Sequence, residues 1–195
     1  MKSATNANQN TKKESHPMMT QQTLTQLRSL KLSGMADALQ QQLTQPSMSA
    51  MSFEERMALL VDREVSSRDD RRRTRLLSLA RLKYPQATIE DVDTRRGRGV
   101  ERSQITSLAL SDWIKTGHTV IINGATGCGK TGLACALGQY ACRRGHTVMY
   151  MRTPRLAEEL RVLHGSGGFG KWLLQLAKTD VLILDDWALA PLDAS

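Results

Sequence analysis

The sequence predicts an α/β chain, a parallel sheet with flanking helices preceded by a small all-helical region. Three observations carry that prediction. Residues 118–142 read as a β-branched strand, a glycine-rich loop and a helix, in that order. Residues 146–186 repeat the strand and helix alternation and end on an apolar run closed by two carboxylates. Residues 20–85 carry helical periodicity.

Composition narrows the possible partners. A length of 195 residues suits one domain or two small ones with a real core. The formal charge of +8 is unevenly placed: residues 1–110 carry 18 Lys/Arg against 12 Asp/Glu, and residues 111–195 carry 9 against 7. A basic first half points to a polyanion, nucleic acid before membrane, because no segment approaches ~18 consecutive apolar residues. The start has no apolar core of a signal peptide. Cys128, Cys135 and Cys142 recur every seven residues, which cannot pair them within one helix, and there is no C-x-x-C. They read as reduced core cysteines of a cytoplasmic protein. The four histidines show no metal-ligand spacing.

Residues 1–19 are polar and are expected to be a disordered leader. Residues 20–85 form the helical domain. Leu24, Leu27, Leu30 and Leu32 make one apolar stripe, and Met35, Leu39 and Leu43 a second after Gly34. Pro46 breaks the chain, and Ser52 with Glu55 forms a capping box. That box opens a long helix whose apolar positions include Met57, Leu60, Val61, Val65, Leu76, Leu79 and Leu82, ending before Pro85. Within it Arg68, Arg71, Arg72 and Arg75 follow i, i+3, i+4, i+7, so four guanidiniums share a face able to line a DNA backbone. The same pattern fits equally a solvated face paired with Glu64, Asp69 and Asp70. Residues 86–99 read as a basic linker and domain boundary, with a short strand at Thr88–Val92. A short helix from Val100 to Leu110 then leads into residues 100–195, the nucleotide-fold domain.

Its organising stretch is Gly124-Ala125-Thr126-Gly127-Cys128-Gly129-Lys130-Thr131, which fits G-x-x-x-x-G-K-[ST], the phosphate-binding loop. Glycines let the loop curl so that backbone N–H groups point at phosphate. Lys130 would reach the β/γ-phosphates of ATP, and the Thr131 hydroxyl would hold Mg²⁺. The preceding run, His118–Asn123, reads as a buried strand. The helix that follows aims its N-terminus at the phosphates and ends at Arg143-Arg144-Gly145. A second strand at His146–Met151 and helices at Pro154–Leu163 and Trp172–Ala177 come next, the helices separated by a flexible glycine connector at 165–170. Val181-Leu182-Ile183-Leu184-Asp185-Asp186 supplies the second half of the nucleotide signature. Asp185 at the strand end would hold Mg²⁺, and Asp186 would orient or deprotonate a hydrolysing water, acting with Lys130 as the catalytic pair.

On these residues the chain resembles the IstB-like ATPases, helper proteins of insertion-sequence transposases, and more distantly the DnaC-type helicase loaders. The resemblance runs from about Met18 to the end. It is most specific at Leu30-Lys31-Leu32-Ser33-Gly34-Met35, at the phosphate loop, and at Leu182–Trp187 with Leu189-Ala190-Pro191-Leu192. It implies a P-loop NTPase of the AAA+ type that binds ATP and assembles as a homo-oligomer on double-stranded DNA. It also implies delivery of that DNA to the transposase of the same element. Two departures follow. Asp186 stands where most relatives carry Glu, and the chain stops nine residues after it. The family's sensor strand and arginine finger would lie beyond, so a C-terminally truncated copy is expected, with an incomplete sheet and poor hydrolysis. The alternatives are a replicative helicase loader, or a DNA-binding helical module with a decayed nucleotide fold.

Overall fold

The computed structural model describes residues 19–95, 99–110 and 112–187 of the chain. They form two compact units, one ending at Arg71 and one starting at Arg72. The first holds helix α1 (residues 19–29), α2 (Ser33–Thr44), a 3-10 turn (Pro46–Ala50) and the first part of α3 (Phe53–Ala80). The second holds the rest of α3, α4 (Arg102–Ala109), α5 (Asp112–Lys115), α6 (Lys130–Arg143), β1 (Val148–Arg152), α7 (Thr153–Ser166), α8 (Phe169–Leu176) and β2 (Val181–Asp185).

In the first unit, the Ser52–Glu55 capping box forms as the sequence predicts. The Ser52 N–H donates to Glu55 Oε2 at 2.8 Å and the Glu55 N–H to Ser52 Oγ at 3.2 Å. Helix α1 ends where Lys31 turns left-handed at φ 61°. Helix α2 then meets α3 at Gly34, whose missing Cβ would lie 2.8 Å from the Arg63 carbonyl oxygen and the Glu64 Cα. Only glycine permits that approach. Glu64 is buried beneath it and accepts the Met35 N–H at 3.2 Å, so a side chain of α3 satisfies an unpaired donor at the start of α2. The inward face of α2 is therefore small, made of Gly34, Ala36 and Ala38. Leu24 and Leu60 are buried as expected, whereas Leu30, Leu43, Val61 and Val65 are exposed.

In the second unit, β1 and β2 pair in parallel, with Tyr150 opposite Ile183 and Arg152 opposite Asp185. Helices α7 and α8 provide the crossover that a parallel pair requires. Helix α6 lies against the sheet at Gly138, where a Cβ would meet Ile183 Cδ1 at 2.7 Å and Leu82 Cδ2 at 3.1 Å. Ala80, Leu82, Cys135, Ala141, Cys142, Val148 and Val181 form the core. Full burial of each Leu or Val there contributes about 1.5–3 kcal/mol. Leu76 and Leu77 pack against the same core. For that reason the units divide inside α3 and not at the 86–99 linker.

Four local expectations are corrected. Residues 118–123 form no strand, and Ile121 is 84% exposed. A strand needs a hydrogen-bonded neighbour, and the sheet among the described residues has only β1 and β2. Thr88–Val92 is a turn, because Thr88 Oγ1 donates to Asp91 Oδ2 at 2.6 Å and Thr88 Oγ1 in turn accepts the Asp91 N–H. The glycine connector shrinks to Gly167, at φ 70°, and Gly168, because α7 runs on to Ser166. Cys128 is exposed, leaving Cys135 and Cys142 as the core thiols. The expected leader, apart from Met19, lies outside the described residues, as do linker residues 96–98 and the 189–192 motif.

Candidate functional site

The loop at residues 124–131 is shaped by its glycines. Gly127 and Gly129 hold φ 80° and 96°, the left-handed region that costs a side-chain-bearing residue energy. Gly129 leads directly into α6, so the first free amides of that helix open toward the loop. Lys130, the first residue of α6, folds back over the loop. Its Nζ donates to the carbonyl oxygens of Gly124 at 2.9 Å and Ala125 at 2.8 Å. The ammonium is thereby held at the mouth of the loop by the protein itself. Ala125, Thr126 and Cys128 complete the loop and are exposed.

The two halves of the signature meet at Thr131. Its hydroxyl lies 3.1 Å from Asp185 Oδ1 and 3.0 Å from Oδ2, although 54 residues separate the two in sequence. The Asp185 carboxylate is further fixed by Tyr150, whose hydroxyl donates to Oδ2 at 2.6 Å, while the Thr153 hydroxyl donates only to the Asp185 main-chain carbonyl oxygen at 3.0 Å. Burial pushes the Asp185 carboxyl upward. The hydrogen bonds from Tyr150, Thr131 and the Asp186 N–H outweigh it, and the group stays below the usual range and ionised. Burial first, then the neighbouring Asp185 carboxylate, raises Tyr150 well above the ordinary phenol, so it remains a donor. A magnesium ion is seldom held by a protein cage. It takes one or two carboxylate or hydroxyl oxygens and completes its shell with phosphate and water. Thr131 and Asp185 fit that requirement. No cluster of three or more His, Cys, Asp or Glu able to hold a metal occurs among the described residues.

Asp186 takes a different environment. It turns left-handed at φ 57°, leaves the strand, and pairs with Arg152 Nε at 2.6 Å. Its carboxylate is occupied by a guanidinium. Arg152 and Tyr150 are site residues that the sequence analysis missed. Both sit on β1, and only the pairing of β1 with β2 brings them to the acidic strand end.

The arginine face on α3 is partly engaged. Arg68 Nε donates to Glu64 Oε1 at 2.8 Å, and Arg71 Nη2 lies 3.5 Å from the same oxygen. Arg72 Nη2 donates to the Gly145 carbonyl oxygen at 3.2 Å. Arg68 and Arg71 nonetheless keep 59% and 52% of their side chains exposed. No described helix is long and apolar enough to cross a membrane.

Comparison with known proteins identifies the family. The family profile described as IstB-like ATP binding protein matches residues 25–195. A Pseudomonas fluorescens protein, named as an ATP-binding protein of insertion sequence IS1162, is 55% identical over 90% of this chain and 76% of its own length. An insertion-sequence ATP-binding protein of Sinorhizobium fredii is 39% identical over 90% of this chain and 71% of its own. One from Mycobacterium tuberculosis is 35% identical over 84% and 64%, respectively.

Proposed function

The chain belongs to the family of IstB-like ATP binding proteins, and we propose that it binds MgATP at residues 124–131 and serves as the DNA-binding helper of an insertion-sequence transposase. The observation that carries the nucleotide part is the Thr131–Asp185 contact at 3.0 Å and 3.1 Å. It sets a hydroxyl and an ionised carboxylate side by side next to the glycine-rich loop, which is the donor set a phosphate-bound cation needs.

Each residue then has a defined task. The loop amides at 125–131 and the N-terminus of α6 receive phosphate oxygens. Lys130 leaves the Gly124 and Ala125 carbonyl oxygens and turns its ammonium to the β/γ-phosphates. Thr131 and Asp185 would hold Mg²⁺, which when bound supplies positive charge against the phosphate oxygens. Asp186 would orient water once its carboxylate is free of Arg152. The exposed guanidiniums of Arg68 and Arg71, with Arg72 and Arg75 on the same helix, supply a sequence-tolerant contact to the duplex backbone. Family names tie the relatives to insertion sequences, and a transposase of the same element is the partner this reading requires. Assembly of several copies on DNA belongs to the same reading.

Fluorescence anisotropy with labelled duplex DNA tests it, with and without MgATP. MgATP should tighten retention of the DNA. Replacing Arg71, Arg72 and Arg75 together should reduce the salt slope of log K by about 0.9 per lost phosphate contact. DNA affinity indifferent to both changes would overturn the DNA part of the reading.

A further inference from the structure

Tyr150 stands in the middle of β1, opposite Ile183 and on the same face as Asp185 two residues further along β2. Its ring packs against the core that includes Cys135, Val148 and Val181. Packing alone would be served as well by phenylalanine. The hydroxyl goes further and donates to Asp185 Oδ2 at 2.6 Å, while Thr131 approaches both carboxylate oxygens at 3.0–3.1 Å. A carboxylate at the end of a strand can rotate freely unless something pins it. A ring wedged in a core cannot swing away, so its hydroxyl is a fixed anchor, and a bond of that length to an anion is a strong one. With Oδ2 held by Tyr150, the carboxylate keeps both of its oxygens within 3.1 Å of the Thr131 hydroxyl beside the glycine loop.

We propose that Tyr150 is a positioning residue that fixes the Asp185 carboxylate for the divalent cation accompanying the nucleotide. The proposal rests on the reading of residues 124–131 as a MgATP site. Groups that orient a metal ligand typically alter metal affinity by about 10–100-fold when removed. Loops that bind phosphate through amides and Lys130 do not depend on Tyr150 directly. Loss of its hydroxyl therefore separates cation affinity from nucleotide affinity.

The test uses the full chain, a fluorescent ATP analogue and a MgCl₂ titration. In EDTA, Tyr150→Phe should bind the analogue as the wild type does. The Mg²⁺ concentration giving half of the added affinity should rise about tenfold. Thr153→Val supplies the contrast, because it removes a hydrogen bond to the Asp185 main chain but none to its carboxylate. It should lower the melting temperature and leave the Mg²⁺ midpoint in place. Tyr150→Leu gives the same readout should the phenylalanine variant not fold. An unchanged midpoint in the Tyr150 variants overturns the proposal, as does an equal shift in Thr153→Val, which would indicate general loosening of β2. If the wild type binds no analogue with or without Mg²⁺, the nucleotide reading itself fails and the proposal falls with it.

Discussion

Lys130→Ala should abolish most of the affinity for MgATP while leaving the fold intact. Among the described residues the Lys130 ammonium hydrogen-bonds to the Gly124 and Ala125 carbonyl oxygens, at 2.9 Å and 2.8 Å. The helix it begins is anchored further along, by the buried Cys135, Ala136, Leu137, Ala141 and Cys142. Truncating Lys130 therefore removes no core contact, and surface changes of this kind usually stay within about ±0.5 kcal/mol. Against phosphate the same ammonium makes hydrogen bonds to charged oxygens, worth about 1.5–3 kcal/mol each. Two such bonds total about 3–6 kcal/mol, and the two given up to neutral loop carbonyls about 1–3 kcal/mol, which leaves a net of about 2–3 kcal/mol. That is a 30- to 150-fold rise in Kd at about 1.4 kcal/mol per factor of ten. Calorimetry measures it directly, and thermal shift gives a second reading. At ATP one hundred times the wild-type Kd, binding stabilises the wild type by about 2.7 kcal/mol. A variant one hundredfold weaker gains about 0.4 kcal/mol under the same conditions. Equal affinities would refute the loop assignment. A variant that unfolds without nucleotide would refute the claim that Lys130 is poised for a ligand and not structural.

Further outcomes follow from individual contacts. Gly138→Val should destabilise the second unit by about 1–3 kcal/mol in urea unfolding, since a Cβ there already meets Ile183 at 2.7 Å and the added methyls have no room; unchanged stability would mean that α6 does not lie on β1 and β2 as described. In native protein a thiol reagent should label Cys128 quickly and spare Cys135 and Cys142, which are fully buried, Cys142 also having its thiol pushed up to about 11 by burial. Saturating MgATP should protect Cys128, and labelling indifferent to nucleotide would contradict its place in the phosphate loop. Glu64 is held below its ordinary 4.5 by the Arg68 hydrogen bond and then, against burial, by the Met35 and Gly34 amides. Its stabilisation is thus present above about pH 4.5 and is lost as pH falls through the lowered native value. The stability gap between wild type and Glu64→Gln should narrow on acidification, and a gap constant with pH would remove the carboxylate from the helix cap.

What could be read from the chain was what neighbours in sequence decide. The Ser52–Glu55 box closes within four residues, and both of its hydrogen bonds are present. The loop from Gly124 to Thr131 is similarly local, because glycine conformations and the start of α6 follow from spacing alone. Residues 118–123 have the same β-branched character as β1 and β2 yet form no strand, because strand character needs a partner and the sheet among the described residues has no third strand. The same dependence hid Tyr150 and Arg152. Their roles arise from the register that sets Tyr150 beside Ile183 and Arg152 beside Asp185, across more than thirty intervening residues. The leucine stripes misled for a related reason. Helices α2 and α3 touch at Gly34, so close that backbone and small side chains fill the contact, and large residues such as Leu43 turn outward. This gives the Leu30–Met35 motif a physical meaning beyond resemblance. Lys31 turns the chain left-handed, Gly34 permits the crossing, and the Met35 amide receives its cap from buried Glu64. A Gly34→Ala change should therefore loosen this unit as surely as removal of a core leucine, with no nucleotide-site residue altered.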